Sequence, residues 1–558
     1  MSIERFAPAA AMNPPPGGRW WLLFTLATLL VLLAYRGSLD HPFTRDDTAH
    51  FADRARWERP PDDWGAHFRE EFWAKGGRSG LYRPLTALTI QAQLRAGDGL
   101  PPADVVPAPP APRALRIGNL LLLAAAAASA GWLAARLGAT RLCALLTTAL
   151  VAWHPLLSED ALEIVSRSET QAALGVLLAA GVLVRDPAMS WSRAALAGLC
   201  FLFALGSKEG AFAAFPALLL LGRLALRPVM ALTAALLVAL VGRVEVFGDL
   251  VGFDPAQTAF VDNPLIAAPL ATRLWTGLSV LGRQLLQLAW PERLSVDWSY
   301  AAITPLEPFG DAHAWLGAAA VVAALLALAV AWRRGAHGTL FGLLLALCSW
   351  FLVSNIARPV GTVMGERLFT LPAIGLLIAG AVALARASRF ARAAGLFLLL
   401  PALLAFGWRT DRRVADWRDG LTLYSAAERV VPGSARVQAT LAHLQFVRGR
   451  PELAADHATK AIELLPDYGK PHATLANCLA AQRRLGASLV HLWLAARATG
   501  ADAELVLQLE AARAKVLQDE RARLDFLRHG RGQVAAQPGS ALHQALGEEL
   551  ARVERGGR

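Results

Sequence analysis

The chain has 558 residues, of which 55% are hydrophobic and 18% charged, and a formal net charge of +11. Apolar runs approaching or exceeding the about 20 residues that cross a bilayer recur as far as Trp408, which excludes an ordinary soluble protein and describes a polytopic membrane protein. The positive charge does not call for nucleic acid, because most arginines stand singly or in pairs between apolar runs, where they set topology.

The first run, 20–35, follows a proline-rich start and has no small-residue cleavage site ahead of a soluble domain, so it reads as a retained span and not a removed signal peptide. With the N-terminus cytoplasmic, the chain emerges into a large outer loop, 37–113, whose last part, 101–112, is a Pro/Ala-rich flexible or polyproline segment. Spans are predicted near 115–136, 142–153, 165–184, 194–205, 211–226 and 230–246, their inward turns carrying Arg136 and Arg141, Arg185 and Arg193, and Arg223 and Arg227. A second outer region, 247–312, contains the apolar segment 273–290, which Arg283, Gln284 and Gln287 interrupt and which is therefore expected to lie at the interface. The spans 315–332, 340–353, 368–384 and 396–408 follow, with Arg333-Arg334, Arg386, Arg389 and Arg392 inside. About eleven spans result, with the N-terminus in and the C-terminus out.

Beyond Trp408 hydropathy falls, and 412–558 reads as helical and soluble. Leu441-Ala442 recurs as Leu475-Ala476, Arg450 as Arg484 and Ala461 as Ala495, a spacing of 34 residues that is the tetratricopeptide (TPR) signature. Pro466 ends one unit and Gly500 the next; 417–430 reads as the closing helix of a degenerate unit and 502–526 as a further helix or capping pair. The domain 412–530 is expected to offer a concave face to an extended protein partner, the alternative being a lid on the membrane part. The remainder, 531–558, reads as a tail that is mobile until Ala541.

Cys143, Cys200 and Cys348 lie within spans and Cys478 stands alone, so neither a disulfide framework nor a thiolate metal site is implied. Scarce lysine beside abundant Ala, Leu and Arg suggests a high-GC bacterium, hence an inner membrane with a periplasmic outer face. Polar residues other than the arginine turns fall nearly all on that face: Asp46-Asp47, His154, Glu159-Asp160, Glu163, Arg167, Glu169, Lys208-Glu209, Asp297, Arg358 and Glu366-Arg367. Charge is expensive beside hydrocarbon and marks function when clustered, so these residues are candidates to line one cavity. Taken singly, each acid can instead be read as neutralising a neighbouring base.

The ordered segments Phe43-Thr44-Arg45-Asp46-Asp47, Tyr82-Arg83-Pro84-Leu85-Thr86, His154-Pro155 with Glu159, Ser166-Arg167-Ser168-Glu169, Ser207-Lys208-Glu209-Gly210, Asp262-Asn263-Pro264, Leu294-Ser295-Val296-Asp297-Trp298-Ser299 and Glu366-Arg367-Leu368-Phe369-Thr370-Leu371-Pro372 resemble the transmembrane and tetratricopeptide-repeat O-mannosyltransferase family. The resemblance runs from the first span through the repeats. It implies an all-α, GT-C-like membrane glycosyltransferase domain (1–411), with a polyprenyl-phosphate sugar as donor and Ser or Thr hydroxyls of a protein as acceptor. The repeat array here is shorter than that family's, and a bacterial chain would use a bacterial polyprenyl.

Transfer from a sugar phosphate to a hydroxyl needs a base at the acceptor and cations around the departing phosphate. By the resemblance Asp46 is the base, acting in one inverting step, and Asp47 orients the acceptor or raises its neighbour's basicity. The pair could equally cap a helix over 48–57. For the phosphate Arg367 is favoured, with Lys208, Arg167 and Arg358 as further candidates. Glu159, Glu169, Glu209 and Glu366 would position these bases, and His154 would bind phosphate or acceptor unless it packs at the interface. Arg83 would reach the sugar or phosphate unless it pairs with a loop acid, and Asp297 with Trp298 would hold a sugar. No ligand-spaced metal motif occurs, so no metal or other cofactor is expected beyond the lipid-linked donor.

Overall fold

The computed structural model describes residues 20–73, 79–97, 99–102, 109–184, 189–250, 252, 254–255, 258–498 and 503–555. The proline-rich start, most of the Pro/Ala-rich segment, Arg185 and Gly500 lie outside them. Among the described residues the fold is all-α, with one isolated bridge between Pro42 and Pro110. Helix α1 (Trp20–Tyr35) leads into a loop region carrying α2 (Asp46–Phe51), α3 (Arg54–Trp57) and α4 (Pro84–Ala96). The bundle continues with α5 (Arg113–Arg136), α6 (Arg141–Trp153), α7 (Ser158–Leu162), α8 (Arg167–Leu183), α9 (Trp191–Ser207), α10 (Phe215–Leu221) and α11 (Leu226–Phe247). It closes with α12 (Leu270–Ala289), α13 (Ala312–Arg333), α14 (His337–Val353), α15 (Thr370–Arg386) and α16 (Arg389–Asp416). Helices α17 (Gly420–Val430), α18 (Ala435–Val447), α19 (Pro451–Leu464), α20 (Gly469–Ala481), α21 (Leu485–Arg497), α22 (Ala503–Val516), α23 (Glu520–Ala536) and α24 (Ala541–Glu554) form the C-terminal part.

Among the described residues six helices (α1 with the turn that follows it, α5, α11, α13, α15 with its preceding turn, and α16) are long and apolar enough to cross a membrane, and a seventh span results if α6 and the segment 155–162, bent by 51°, count as one. Each segment expected to span is helical, but α8, α9, α10 and α14 fall short of that standard of length and hydropathy. The polar breaks at His154-Pro155 and Lys208-Glu209 end α6 and α9 early. Small residues let the bundle close: a Cβ on Gly342 would stand 2.5 Å from the Gly375 carbonyl, and one on Gly375 would stand 2.6 Å from the Gly342 carbonyl. Such contacts hold apolar helices together where water cannot drive them. In α12 the interrupting polar residues serve the protein, since Gln287 donates to the Arg293 carbonyl at 2.8 Å and Gln284 to that of Gly365 at 3.5 Å.

The expected break between bundle and C-terminal part at 411/412 falls inside α16, which runs without interruption to Asp416. Leu423, Tyr424, Val437 and Leu441 bury in the same core as Trp298, Ile303 and Met364 of the bundle. Helix pairs α18–α19 and α20–α21 begin at 435 and 451, then at 469 and 485, reproducing the repeat seen in sequence. The expected mobile tail is instead the second half of α23 followed by α24: Phe526, Leu546, Leu550 and Val553 bury against Trp493 and Leu494. Tertiary burial overrides a local Gly/Arg/Gln composition that has little helix preference of its own.

This C-terminal part holds a chain of histidines. His472 Nε2 meets the Pro466 carbonyl at 3.0 Å, its Nδ1 meets His491 Nδ1 at 2.9 Å, and His491 Nε2 meets His529 Nε2 at 3.1 Å. One proton per ring satisfies every link; a second proton on His491 would set two N–H groups against each other. Burial lowers all three, His472 to about 4, and Arg484 on the facing turn adds to the effect at His491 and His529, while Asp467 and Asp525 oppose it weakly at His472 and His529. The unfolded chain therefore takes up protons first, so stability falls as pH drops from about 6.5 toward 4, by about 3 kcal/mol for His472 alone. Hydrogen-exchange protection across 469–497, corrected for the slower intrinsic exchange at lower pH, should fall between pH 7 and pH 5; equal protection factors at both would exclude this coupling.

Candidate active site

The ends of α1, α6, α9 and α14 and the beginnings of α5, α8 and α15 meet at one end of the bundle, where the candidate residues gather. Asp46 opens α2 immediately after Arg45, whose φ of 51° is a strained value for a residue with a side chain. Arg45 is held there by ion pairs to Glu159 and, at 3.3 Å, to Glu163. Arg367, in the turn that opens α15, donates to Asp46 Oδ2 at 2.9 Å and to Ser166 Oγ at 3.2 Å, is hydrogen-bonded to Glu163, and lies 3.7 Å from Glu159. Glu159 and Glu163 are buried, at 2% and 0% side-chain exposure, whereas Asp46 and Arg367 retain 30% and 25% and form the accessible lip. Burial raises Asp46, but Arg45 and Arg367 outweigh it and hold the carboxyl well below the usual carboxylate range. Burial likewise pushes Glu163 up, with Arg45 and Arg367 opposing.

An accessible carboxylate paired with an arginine from the far end of the bundle sequence is an arrangement suited to proton removal beside a bound anion. Part of this chain is similar to protein O-mannosyl-transferases. It is 28% identical over 216 residues to Protein O-mannosyl-transferase TMTC1 of Mus musculus, covering 37% of this chain and 23% of that protein. It is 29% identical over 245 residues to Protein O-mannosyl-transferase Tmtc3 of Drosophila melanogaster (41% and 25%) and 24% identical over 220 residues to Protein O-mannosyl-transferase F38B6.6 of Caenorhabditis elegans (39% and 31%). The matched part thus spans about a quarter to a third of these relatives. No family model matches the chain.

Asp47 differs entirely from its neighbour. It is fully buried, and its two oxygens accept the Ile164 and Val165 amides, each at 2.9 Å. This corrects the acceptor-orienting and capping readings: Asp47 latches the loop between α7 and α8, out of an acceptor's reach, and no side-chain cap forms at the start of α2, while its charge and that of Asp46 still act on each other. Burial raises its carboxyl to about 6 against Arg116 and the two amides, so it stays an anionic acceptor at neutral pH. Asp47→Ala strands two buried amides and should cost about 3 kcal/mol. A fall in the thermal midpoint of the detergent-solubilised protein would register it.

Two more assignments are corrected. Arg167 is fully buried and donates to Asn119 Oδ1 at 2.8 Å, Gln93 Oε1 at 2.6 Å and the Leu115 carbonyl at 3.0 Å, which fastens α8 to α4 and α5 and leaves it no face for phosphate. His154 is buried between the Leu156 amide and the Leu288 carbonyl and packs on Phe406 at 4.6 Å, so it is a packing residue. Glu366 is also occupied, accepting from the Ser295 amide at 2.5 Å and pairing with Arg413 at 3.5 Å.

Arg83 and Glu209 form a bidentate pair at 3.0 and 2.6 Å, with Arg83 also donating to Ser168 Oγ at 3.3 Å and lying 5.3 Å from the Phe72 ring. Next to them Lys208 is hydrogen-bonded to Glu169, both buried. Arg358 is exposed in the loop before α15. Asp297 accepts from the Ser299 amide at 3.0 Å and from Ser434 Oγ at 3.3 Å. Among the described residues no group of three or more His, Cys, Asp or Glu side chains is placed to hold a metal ion. Sequence reasoning gave no role to Arg45, Glu163, Ser166 or Arg436. Arg45 adjoins the acidic pair and Glu163 stood among the polar clusters, but Arg436 carries no local signal.

Proposed function

We propose that this chain is an integral membrane glycosyltransferase of the GT-C type that transfers a hexose, mannose by analogy with the names of its relatives, from a polyprenyl phosphate to a Ser or Thr hydroxyl of a protein. The observation that carries this reading is the Asp46–Arg367 contact at the accessible lip of an otherwise buried ion cluster. In the proposed step the acceptor oxygen bonds to the anomeric carbon as the bond from that carbon to the phosphate oxygen breaks. The hydroxyl proton passes to Asp46, and the polyprenyl phosphate leaves with the bonding pair, its growing charge met by Arg367. Arg367 suppresses the basicity of Asp46; a donor phosphate competing for the guanidinium would release it. A proton on Glu163 would leave two arginines facing two carboxylates, a balance that admits an anion. Arg83, partly exposed beside Glu209, would give the donor a second basic position, and no divalent metal is invoked.

The opposite end of the bundle carries Arg136, Arg141, Arg193, Arg223, Arg227, Arg333, Arg334, Arg386, Arg389 and Arg392. Under the positive-inside rule that end is cytoplasmic, which puts the proposed site and the C-terminal helices on the periplasmic side of a bacterial inner membrane. The α18–α21 repeat, with its TPR-like period, supports a peptide-binding role for those helices. The test is reconstitution in nanodiscs with radiolabelled mannosyl-phosphoryl-polyprenol and a synthetic Ser/Thr peptide. Label should appear in the peptide; label confined to extracted glycolipid would replace the acceptor class, and none in either would remove the activity.

A further inference from the structure

The C-terminal helices do more than neighbour the lip. Ser434 caps α18 by accepting the Val437 amide at 3.2 Å, and the Ala435 amide donates to the Tyr300 carbonyl at 3.1 Å, which seats the start of α18 on the 295–300 loop. From the first turn of that helix Arg436 reaches two acids of the bundle: it is ion-paired with Asp262, and its other terminal nitrogen lies 3.5 Å from Asp297. Arg436 keeps 36% of its side chain exposed and Asp262 keeps 23%, so the bridge is part of the accessible surface. Tyr468, in the turn before α20, lies within electrostatic reach of Arg436, and Tyr424 of α17 is buried within such reach of both Arg45 and Asp46. The 295–300 loop joins the bridge to the lip: Asp297 faces Arg436, Trp298 and the Ser295 amide donate to Glu366, and the adjoining Arg367 reaches Asp46. Lys470, at the start of α20, is the next charge beyond, acting on Asp262.

Building on the transferase reading above, we propose that Arg436 is an acceptor-binding residue supplied by the C-terminal helices, and that the acceptor is an extended polypeptide running from the start of α20 across Arg436 and Tyr468 to Asp46. Two carboxylates neutralise Arg436, and its remaining N–H groups suit the uncharged carbonyls of a peptide. A strip that leaves the membrane bundle and climbs onto repeat helices fits a polypeptide; a lipid-borne acceptor would have no use for it.

Kinetics of the full-length protein in nanodiscs, with mannosyl-phosphoryl-polyprenol and a Ser/Thr peptide, test this. Arg436→Gln should raise the peptide KM about tenfold or more, the loss expected for a charge-assisted hydrogen bond, with donor KM changed by less than about threefold. Arg436→Lys should recover part of the loss. Tyr468→Phe removes a hydroxyl from this strip without touching either ion pair, and should raise the peptide KM by a smaller factor even if Arg436→Gln fails to fold. An unchanged peptide KM in both Arg436→Gln and Tyr468→Phe, a parallel rise in donor KM, or transfer to glycolipid alone would overturn the inference. It can fail by itself: if Asp46→Asn is inactive while the Arg436 and Tyr468 variants bind peptide normally, the transferase reading stands without it.

Discussion

Asp46→Asn should reduce sugar transfer by about 10²- to 10⁴-fold, the contribution of a positioned general base, while donor KM, expression and thermal midpoint stay close to those of the parent. The substitution keeps the shape of the side chain and an oxygen that can still accept from Arg367, so the 2.9 Å contact need not be lost. What disappears is the capacity to take the hydroxyl proton. Because Asp46 is partly exposed and makes no backbone contact comparable to that of Asp47, its loss should leave the fold standing. Single-turnover transfer measured beside a thermal melt separates the two effects. Retained transfer would remove Asp46 from the base role, and a melt lowered as far as that of Asp47→Ala would assign both acids to structure.

Arg367→Gln should weaken donor binding by about 2–4 kcal/mol, or roughly 30- to 1000-fold, as expected when one partner of a desolvated charge pair is removed. It should also change the pH profile. With Arg367 present, Asp46 is held well below the usual carboxylate range, so it stays ionised and does not limit the rate on the acid side. Without it, burial pushes the carboxyl up with Arg45 as the main remaining counter-charge, and the acid limb of kcat/KM should move to higher pH. Donor KM and the acid limb shifting together is the outcome that ties Arg367 to both the phosphate and the base. A fall in kcat with neither shift would make it a purely structural bridge between α15 and the loop at Glu159–Glu163.

Much of the all-α layout was legible in the chain because hydropathy and arginine spacing are local. The expected spans are helical, the repeat period reappears in the helix starts, and Asp46 and Arg367 stand together although 321 residues separate them. Hydropathy alone did not decide which acids and bases of the polar end are free to react. Asp46 and Asp47 are adjacent and chemically identical, and they differ because α2 turns one toward the lip and the other onto the Ile164 and Val165 amides. Arg167 and Arg367 follow the same rule, one spent on Asn119, Gln93 and Leu115, the other reaching Asp46. The C-terminal tail became helix through burial against Trp493 and Leu494, and α18 brought Arg436 to Asp262 and Asp297 through the contact of its first turn with the 295–300 loop. The sequence by itself determined a membrane bundle, its repeat-bearing extension and the two residues most worth testing. The tertiary structure decided which charges are already satisfied, since a charged group is available to a substrate only where packing has left its hydrogen bonds unfilled, and that depends on partners hundreds of residues away.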